Sequence, residues 1–241
     1  MRVLFIATLV APLFVVLQTP AAGQARNAAA TAKASAPIDI TGYWVALVTE
    51  DWRFRMITPR KGDYQPVPMT PEARKVADAW DPSADEASGN QCKAYGAAAI
   101  MRLAARFHIT WQDDSTLRIE SDYGTQTRLL RFNSSTQTAS AAGERTWQGY
   151  SSAQWEGPAS LKVTTSNLRS GYLRKNGVPY SENATVTEYF DLAPIPSGGQ
   201  VLLVTAIVDD PQYLRQPFTT SSQFKKESDG SKWDPTPCAA K

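Results

Sequence analysis

Apolar and polar side chains alternate along most of this chain, which is the pattern of β-strands that turn one face to a core. The segments with the clearest alternation are 41–48, 100–112, 116–122, 125–132, 146–156, 160–168, 183–192, 200–210 and 213–227. Short turns separate most of them. The strands do not alternate with helices, as they would in a parallel α/β sheet. The pattern predicts a mainly β chain, folded as a mostly antiparallel closed barrel or sandwich of about eight to ten strands.

Two local signals interrupt this pattern. Thr70-Pro71 is a helix start, because the threonine side chain can accept from free backbone N–H groups and proline suits the first helical position. We expect one short helix there, ending before Pro82. Asn176-Gly177 is the strongest short signal for a β-hairpin.

The first strand, residues 41–48, is apolar on both faces, so we expect both faces to be covered. If the alternation continues past it, Glu50 and Trp52 share one face. Asp51 and Arg53 then share the other, and the two acids do not meet as a carboxylate pair. This segment is therefore expected to be a strand end.

Residues 1–25 have the order of a secretory signal peptide: a basic residue, an apolar run and small residues at a cleavage site. The apolar run is shorter than the ~20 residues that span a bilayer and contains Pro12, which favours cleavage over an uncleaved membrane anchor. Residues 26–37 are rich in alanine and serine, and we expect a flexible leader. We expect residues 38–241 to form a single β-barrel domain, periplasmic or secreted, without stable membrane insertion after cleavage.

Charge and cysteine content limit the partners and the compartment. Lysine and arginine number 25 against 23 aspartate and glutamate, without a block of like charge. A nucleic-acid surface would show a basic stripe, so nucleic acid is not an expected partner. The two cysteines, Cys92 and Cys238, favour a disulfide in an exported chain. The alternative is a nucleophilic Cys92 that works with His108.

Two stretches resemble known families. Gly-Tyr-Trp at residues 42–44 resembles the G-x-W motif of the lipocalins, in which the tryptophan closes the barrel floor beside a basic residue from a late strand. Residues 171–190, 208–218 and 224–238 together resemble a group of secreted bacterial proteins without an assigned function. These resemblances imply a lipocalin-like (calycin) antiparallel β-barrel and export, and they imply no catalytic residues.

Glu188 and His108 are the candidates for acid–base chemistry. Glu188 lies on the same strand face as apolar side chains, so it would be a buried carboxylate if that face points into the barrel. The alternative is a structural ion pair with Arg128 or Arg169. His108 is the only histidine and could carry a proton near neutral pH. Its alternative is an ordinary surface or half-buried histidine.

The sequence contains no recognisable metal or cofactor motif. One histidine and two cysteines that are expected to be bonded leave no zinc ligand set. P-loop, dinucleotide-binding and EF-hand patterns are also missing from the sequence. We therefore expect no metal and no cofactor, and a carboxylate calcium site at the Asp-Asp pairs is the alternative.

Several aromatic residues are candidate ligand contacts. Trp147 and Trp155 share one face of a predicted strand, and the small residues between them permit either a bend or a ligand. Tyr172 and Tyr189 lie on either side of the predicted hairpin and, with Arg128, could line a pocket. Ordinary strand packing is the alternative for all of them.

Three hypotheses follow. The first is an exported β-barrel protein that binds a small apolar or amphipathic molecule in its cavity. The second is a cofactor-free barrel enzyme, a hydratase, lyase, isomerase or hydrolase, with Glu188 and His108 in one cavity. The third is a structural protein whose barrel is filled by its own side chains.

Overall fold

The computed structural model describes residues 30–132, 143–196 and 198–241, and the predicted signal peptide, residues 1–25, lies outside them. Within the described residues the chain is mainly β. In chain order the strands are β1 Gly42–Leu47, β2 Arg106–Asp113, β3 Thr116–Ser121, β4 Gln126–Phe132, β5 Tyr150–Glu156, β6 Ser160–Ser166, β7 Gly171–Arg174, β8 Val178–Tyr180, β9 Thr185–Pro194, β10 Gln200–Asp209 and β11 Phe218–Glu227. All except β7 and β8 close into one nine-stranded barrel, so the predicted barrel of about eight to ten strands is confirmed.

The barrel is antiparallel apart from one pair of strands. Its strands follow the order β1-β11-β10-β9-β6-β5-β4-β3-β2 around the circumference. β4 and β5 run parallel, with Leu130 opposite Ser151. Parallel neighbours need a long connection between them, and residues 133–149 provide that length. The mostly antiparallel arrangement was predicted, whereas the parallel pair was not.

The interior of the barrel is filled by side chains. Inward-facing positions of the strands are almost completely buried, and they include Trp44, Phe107, Ile109, Leu117, Leu130, Leu161, Val163, Phe190, Val204 and Phe224. The rings of Phe107 and Phe224 pack edge to face, with their centroids 5.3 Å apart. The interior is therefore a packed core. A barrel filled by its own side chains is what the third hypothesis, a structural protein, assumed.

A cap covers one end of the barrel. It consists of residues 48–105 and the hairpin β7–β8, and its helices are α1 Trp52–Arg55, α2 Pro71–Asp78 and α3 Pro82–Ala87. The helix predicted at Thr70 is α2, and the Thr70 hydroxyl accepts from the Ala73 backbone N–H at 3.2 Å. The helices α1 and α3 were not predicted.

The cap is packed onto the barrel end by an apolar cluster. Its buried members include Tyr64, Val67, Met69, Leu173, Val178, Tyr180, Val186, Val208 and Phe218, drawn from the cap, the hairpin and the barrel strands. The predicted hairpin turn at Gly177 is confirmed, with β7 and β8 paired on either side of it. The hairpin therefore belongs to the cap and not to the barrel wall.

The C-terminal residues return from β11 to the cap along the outside of the barrel. Thr236 forms a parallel bridge with Tyr123, and the predicted disulfide between Cys92 and Cys238 is confirmed. At the opposite barrel end, Trp155 Nε1 donates to the Ala32 carbonyl at 2.9 Å, so part of the predicted leader contacts the barrel. Among the helices of the described residues, none has the length and apolar character to cross a bilayer.

Candidate anion-binding site

A cavity of about 150 Å³ lies in the cap, where α1, β7 and the segment before β2 meet. The charged side chains in its lining are all cations: Arg55, Arg102, Arg174, Lys175 and Lys241. No aspartate or glutamate occurs among the described residues that line it. The lining is therefore positively charged, with the Asp51 carboxylate paired to Arg102 beside it.

The helix α1 brings Arg55 to the cavity. Asp51 takes a left-handed backbone conformation with φ 51°, which ends the extended course of the chain. The following residues form a helical turn, in which the Arg55 N–H bonds to the Asp51 carbonyl at 3.1 Å. The predicted strand-like alternation of residues 50–53 was therefore wrong.

Three hydrogen bonds hold the arginines around the cavity. Arg102 Nη2 donates to the Asp51 carboxylate at 3.0 Å, and the Arg102 carbonyl accepts from Arg55 Nε at 2.8 Å. Arg174, the last residue of β7, donates from Nη1 to the Gln65 carbonyl at 2.7 Å. Because all three side chains are anchored, the guanidinium groups are preorganised.

Two of these guanidinium groups keep unpaired nitrogens. Arg55 Nη1 and Nη2, and Arg174 Nε and Nη2, are buried and have no hydrogen-bond partner among the described residues. Arg55 is 7% exposed and Arg174 is 4% exposed. An unsatisfied buried donor costs about 1–3 kcal/mol, and more when it is charged. These donors therefore have no acceptor in the described part of the protein.

The electrostatics of the cavity favour an anion as that acceptor. Burial, and then the charge of Arg102, lower the pKa of Arg174 to about 10. The same two causes lower the pKa of Arg55 from its ordinary value. The charge of Asp51 opposes both shifts, and arginine side chains stay protonated at neutral pH, so the cavity keeps positive charge that a bound anion would stabilise.

Aromatic residues complete the walls. The Arg174 guanidinium lies 4.0 Å from the centroid of the Phe54 ring, a cation–π contact. On the other side, Lys175 Nζ donates to the Tyr123 hydroxyl at 2.9 Å. Burial raises the pKa of Tyr123, but the hydrogen bond and charge of Lys175 outweigh it, so that this pKa is lowered.

Glu188 and Arg128, predicted as an acid–base residue and a ligand contact, pair with each other inside the barrel. Arg128 Nη1 and Nη2 donate to the two carboxylate oxygens at 3.0 and 2.5 Å. Nη2 also lies 3.3 Å from the Thr165 hydroxyl, which bonds the Ser151 hydroxyl at 2.7 Å. The side chains of the pair are 1% and 0% exposed. The pair is thus enclosed in the core, as in the ion-pair alternative.

His108 lies on the other side of the barrel wall from Glu188. Its neighbours on β2, Phe107 and Ile109, point into the barrel, so His108 points out. Its ring stacks on Tyr43 with 4.1 Å between centroids. The structure therefore does not bring His108 and Glu188 into one cavity.

Trp147 and Trp155 lie at opposite ends of β5. Trp147 sits in the turn before the strand, where its Nε1 donates to the Ser170 carbonyl at 3.1 Å and Arg169 lies 4.6 Å from its ring centroid. Trp155 packs on Phe132 near the other end, with 5.0 Å between centroids. The two tryptophans have different surroundings.

Tyr172 and Tyr189 also lie apart. The Tyr172 hydroxyl donates to the Asp85 carboxylate at 2.8 Å, and burial together with this bond raises the pKa of Tyr172. Tyr189 faces outward from β9, with Lys162 Nζ 5.5 Å from its ring centroid. The lining of the basic cavity contains none of the five residues predicted as ligand contacts.

The basic cavity itself was not predicted from sequence. Its buried arginines come from three distant segments, and no spacing between them forms a motif. One signal was available: Arg102 lies in the apolar run "AAAIMRLAA", where a charged side chain must find a partner or a site.

Within the described ranges, no group of three or more His, Cys, Asp or Glu side chains is placed to hold a metal ion. Comparison with family models, curated proteins and solved structures finds no match for the chain. The functional argument therefore rests on the geometry of the cavity.

Proposed function

We propose that this is an exported β-barrel protein that binds a small amphipathic molecule by its anionic group, held in the basic cavity of the cap. The observation that carries the proposal is the set of unpaired nitrogens on Arg55 and Arg174, two arginines of the cavity lining. Planar guanidinium groups suit the paired oxygens of phosphate, sulfate and carboxylate.

The size of the cavity limits what enters it. A volume of about 150 Å³ is below the roughly 300–1,000 Å³ of sites that enclose a drug-sized ligand. The anionic group therefore occupies the cavity, and the rest of the molecule lies at its rim. The filled barrel interior leaves the cap as the better supported ligand site.

Export and lipocalin-like ancestry are part of the same proposal. The Cys92–Cys238 disulfide suits an oxidising compartment. Trp44 is buried and the Lys226 ammonium lies 5.3 Å from its ring centroid, which parallels the lipocalin barrel floor. The nine strands and the parallel β4–β5 pair depart from the eight-stranded up-and-down pattern.

Calorimetric titration with inorganic phosphate and with decyl phosphate tests the proposal. We expect one site, competition between the two ligands, and tighter binding of decyl phosphate. Arg174→Gln should weaken both affinities about tenfold or more, because a hydrogen bond to a charged group is lost. Arg55→Gln is the second variant should Arg174→Gln fail to fold.

The matched control is Arg215→Gln, which removes an exposed arginine outside the cavity. Its affinities should equal those of the unchanged protein. Absence of phosphate binding, or an equal loss of affinity in the control, would contradict the proposal.

A further inference from the structure

We propose that the rim of the basic cavity docks onto a bilayer of anionic phospholipid, with a headgroup phosphate in the cavity and apolar side chains among the acyl chains. This inference rests on the proposed function, since it names the source of the amphipathic anion. It adds an interaction surface that anion binding alone does not require.

Exposed apolar side chains gather on α1 and the residues after it. Trp52, Met56 and Ile57 are 63%, 58% and 64% exposed. The remaining large apolar side chain with high exposure among the described residues is Val76, at 37%. Clustered exposed apolar residues of this kind mark interaction sites more often than scattered ones do.

The apolar residues stand at the opening of the cavity. Met56 and Ile57 belong to the cavity lining, together with Phe54 and the buried Arg55 of the same short segment. A ligand whose phosphate bonds Arg55 would therefore meet Met56 and Ile57 on its way out. A phospholipid in a bilayer has the same order, with its charged headgroup followed by its apolar acyl chains.

Charge complementarity selects an anionic surface. Arg60 and Lys61 are exposed and follow Ile57 after two intervening residues. Basic side chains next to inserted tryptophan and aliphatic residues are typical of surfaces that bind anionic lipid. Tryptophan also prefers the headgroup level of a membrane, where its ring is apolar and its N–H remains solvated.

Sedimentation with lipid vesicles tests the inference in the full mature chain. We expect binding to vesicles that contain phosphatidylglycerol and little binding to vesicles of phosphatidylcholine alone. The double variant Met56→Ser/Ile57→Ser should bind the anionic vesicles about tenfold or more weakly, because apolar side chains no longer enter the bilayer. Trp52→Ser, whose exposed side chain lies outside the cavity lining, should also bind these vesicles more weakly and should keep its affinity for inorganic phosphate.

Val76→Ser is the control, because Val76 is an exposed apolar residue outside the cavity lining. It should sediment with the vesicles as the unchanged protein does. Equal binding to both vesicle types overturns the inference, as does unchanged vesicle binding by the double variant. Binding of phosphate without any binding of vesicles also overturns it while leaving the proposed function standing.

Failure of phosphate to bind, in contrast, removes the proposed function itself.

A second copy of the chain is the competing occupant of the apolar rim. If Met56→Ser/Ile57→Ser converts a dimer to a monomer in light scattering and leaves vesicle binding unchanged, the rim is a self-association surface and the inference is wrong.

Discussion

Buried arginines occur in this protein in two states. Arg128 is enclosed in the barrel core and pairs with Glu188 through two hydrogen bonds, so that only its Nε lacks a partner among the described residues. Arg55 and Arg174 are nearly as buried, yet several of their nitrogens have no partner among the described residues. The first state satisfies the charge inside the core, and the second leaves the donors on which the proposed anion site rests.

The core pair gives a prediction at this scale. Glu188→Gln should lower the free energy of unfolding by about 3–5 kcal/mol, because it leaves the Arg128 charge buried without a counter-charge. Arg128→Met/Glu188→Leu should recover most of that loss, since no charge remains in the core. Urea unfolding of the two variants measures the difference. A double variant no more stable than the single one would contradict this.

Among the secondary-structure elements, the hairpin β7–β8 connects the cavity with the rest of the cap. It carries Arg174 at the end of β7 and Lys175 in its turn, and both line the cavity. The turn packs closely on Trp80, which follows α2. A Cβ at Gly177 would therefore overlap the Trp80 side chain. Correct docking of this turn therefore positions two of the cations.

Gly177→Ala tests that docking. Its φ of +83° is unfavourable for alanine, and the added methyl group would also collide with Trp80. Gly62→Ala has a similar φ of +90° and nothing within 4 Å, so it isolates the backbone cost of about 1 kcal/mol. We expect Gly177→Ala to lose clearly more unfolding free energy than Gly62→Ala in urea denaturation, and equal losses would show that the turn is loosely packed.

Over the whole molecule, the disulfide joins the C-terminal tail to the cap. Cys92 and Cys238 are 146 residues apart, and Lys175 donates to the carbonyl of Lys241 beside the cavity. The bond thus holds a chain segment that forms part of the cavity wall. Its loss should affect both stability and the site.

Cys92→Ser/Cys238→Ser should lower the free energy of unfolding by about 4–5 kcal/mol, from the closure entropy of so long a loop. Phosphate affinity should fall as well, because the tail no longer holds the Lys241 side of the cavity. Urea unfolding and phosphate titration of the folded variant measure the two effects. Unchanged phosphate affinity would mean that the tail wall is dispensable.

The sequence was a better guide to the fold than to the site, for a physical reason. Alternation in segments such as 116–122 is local, so the strands and their inward faces follow from nearest neighbours, whereas the filled interior was only one of three hypotheses. The disulfide follows from a cysteine count of two. The cavity depends instead on how Arg55, Arg102 and Arg174 converge after the cap has folded, and no local pattern encodes that convergence.

The most misleading stretch was the end of the first strand. Its polar and apolar residues continue to alternate, but Asp51 turns the backbone into a left-handed conformation and α1 begins. That single turn buries Arg55 in the cap and exposes Trp52. The sequence interpretation kept the segment as a strand and so missed both the site and its rim.

A crystal structure of the protein with decyl phosphate tests the central claim most directly. The phosphate should lie in the cap cavity, within about 3 Å of the free nitrogens of Arg55 and Arg174, with its alkyl chain leaving past Met56 and Ile57. A cavity occupied by water alone, or a phosphate bound elsewhere on the molecule, would contradict it.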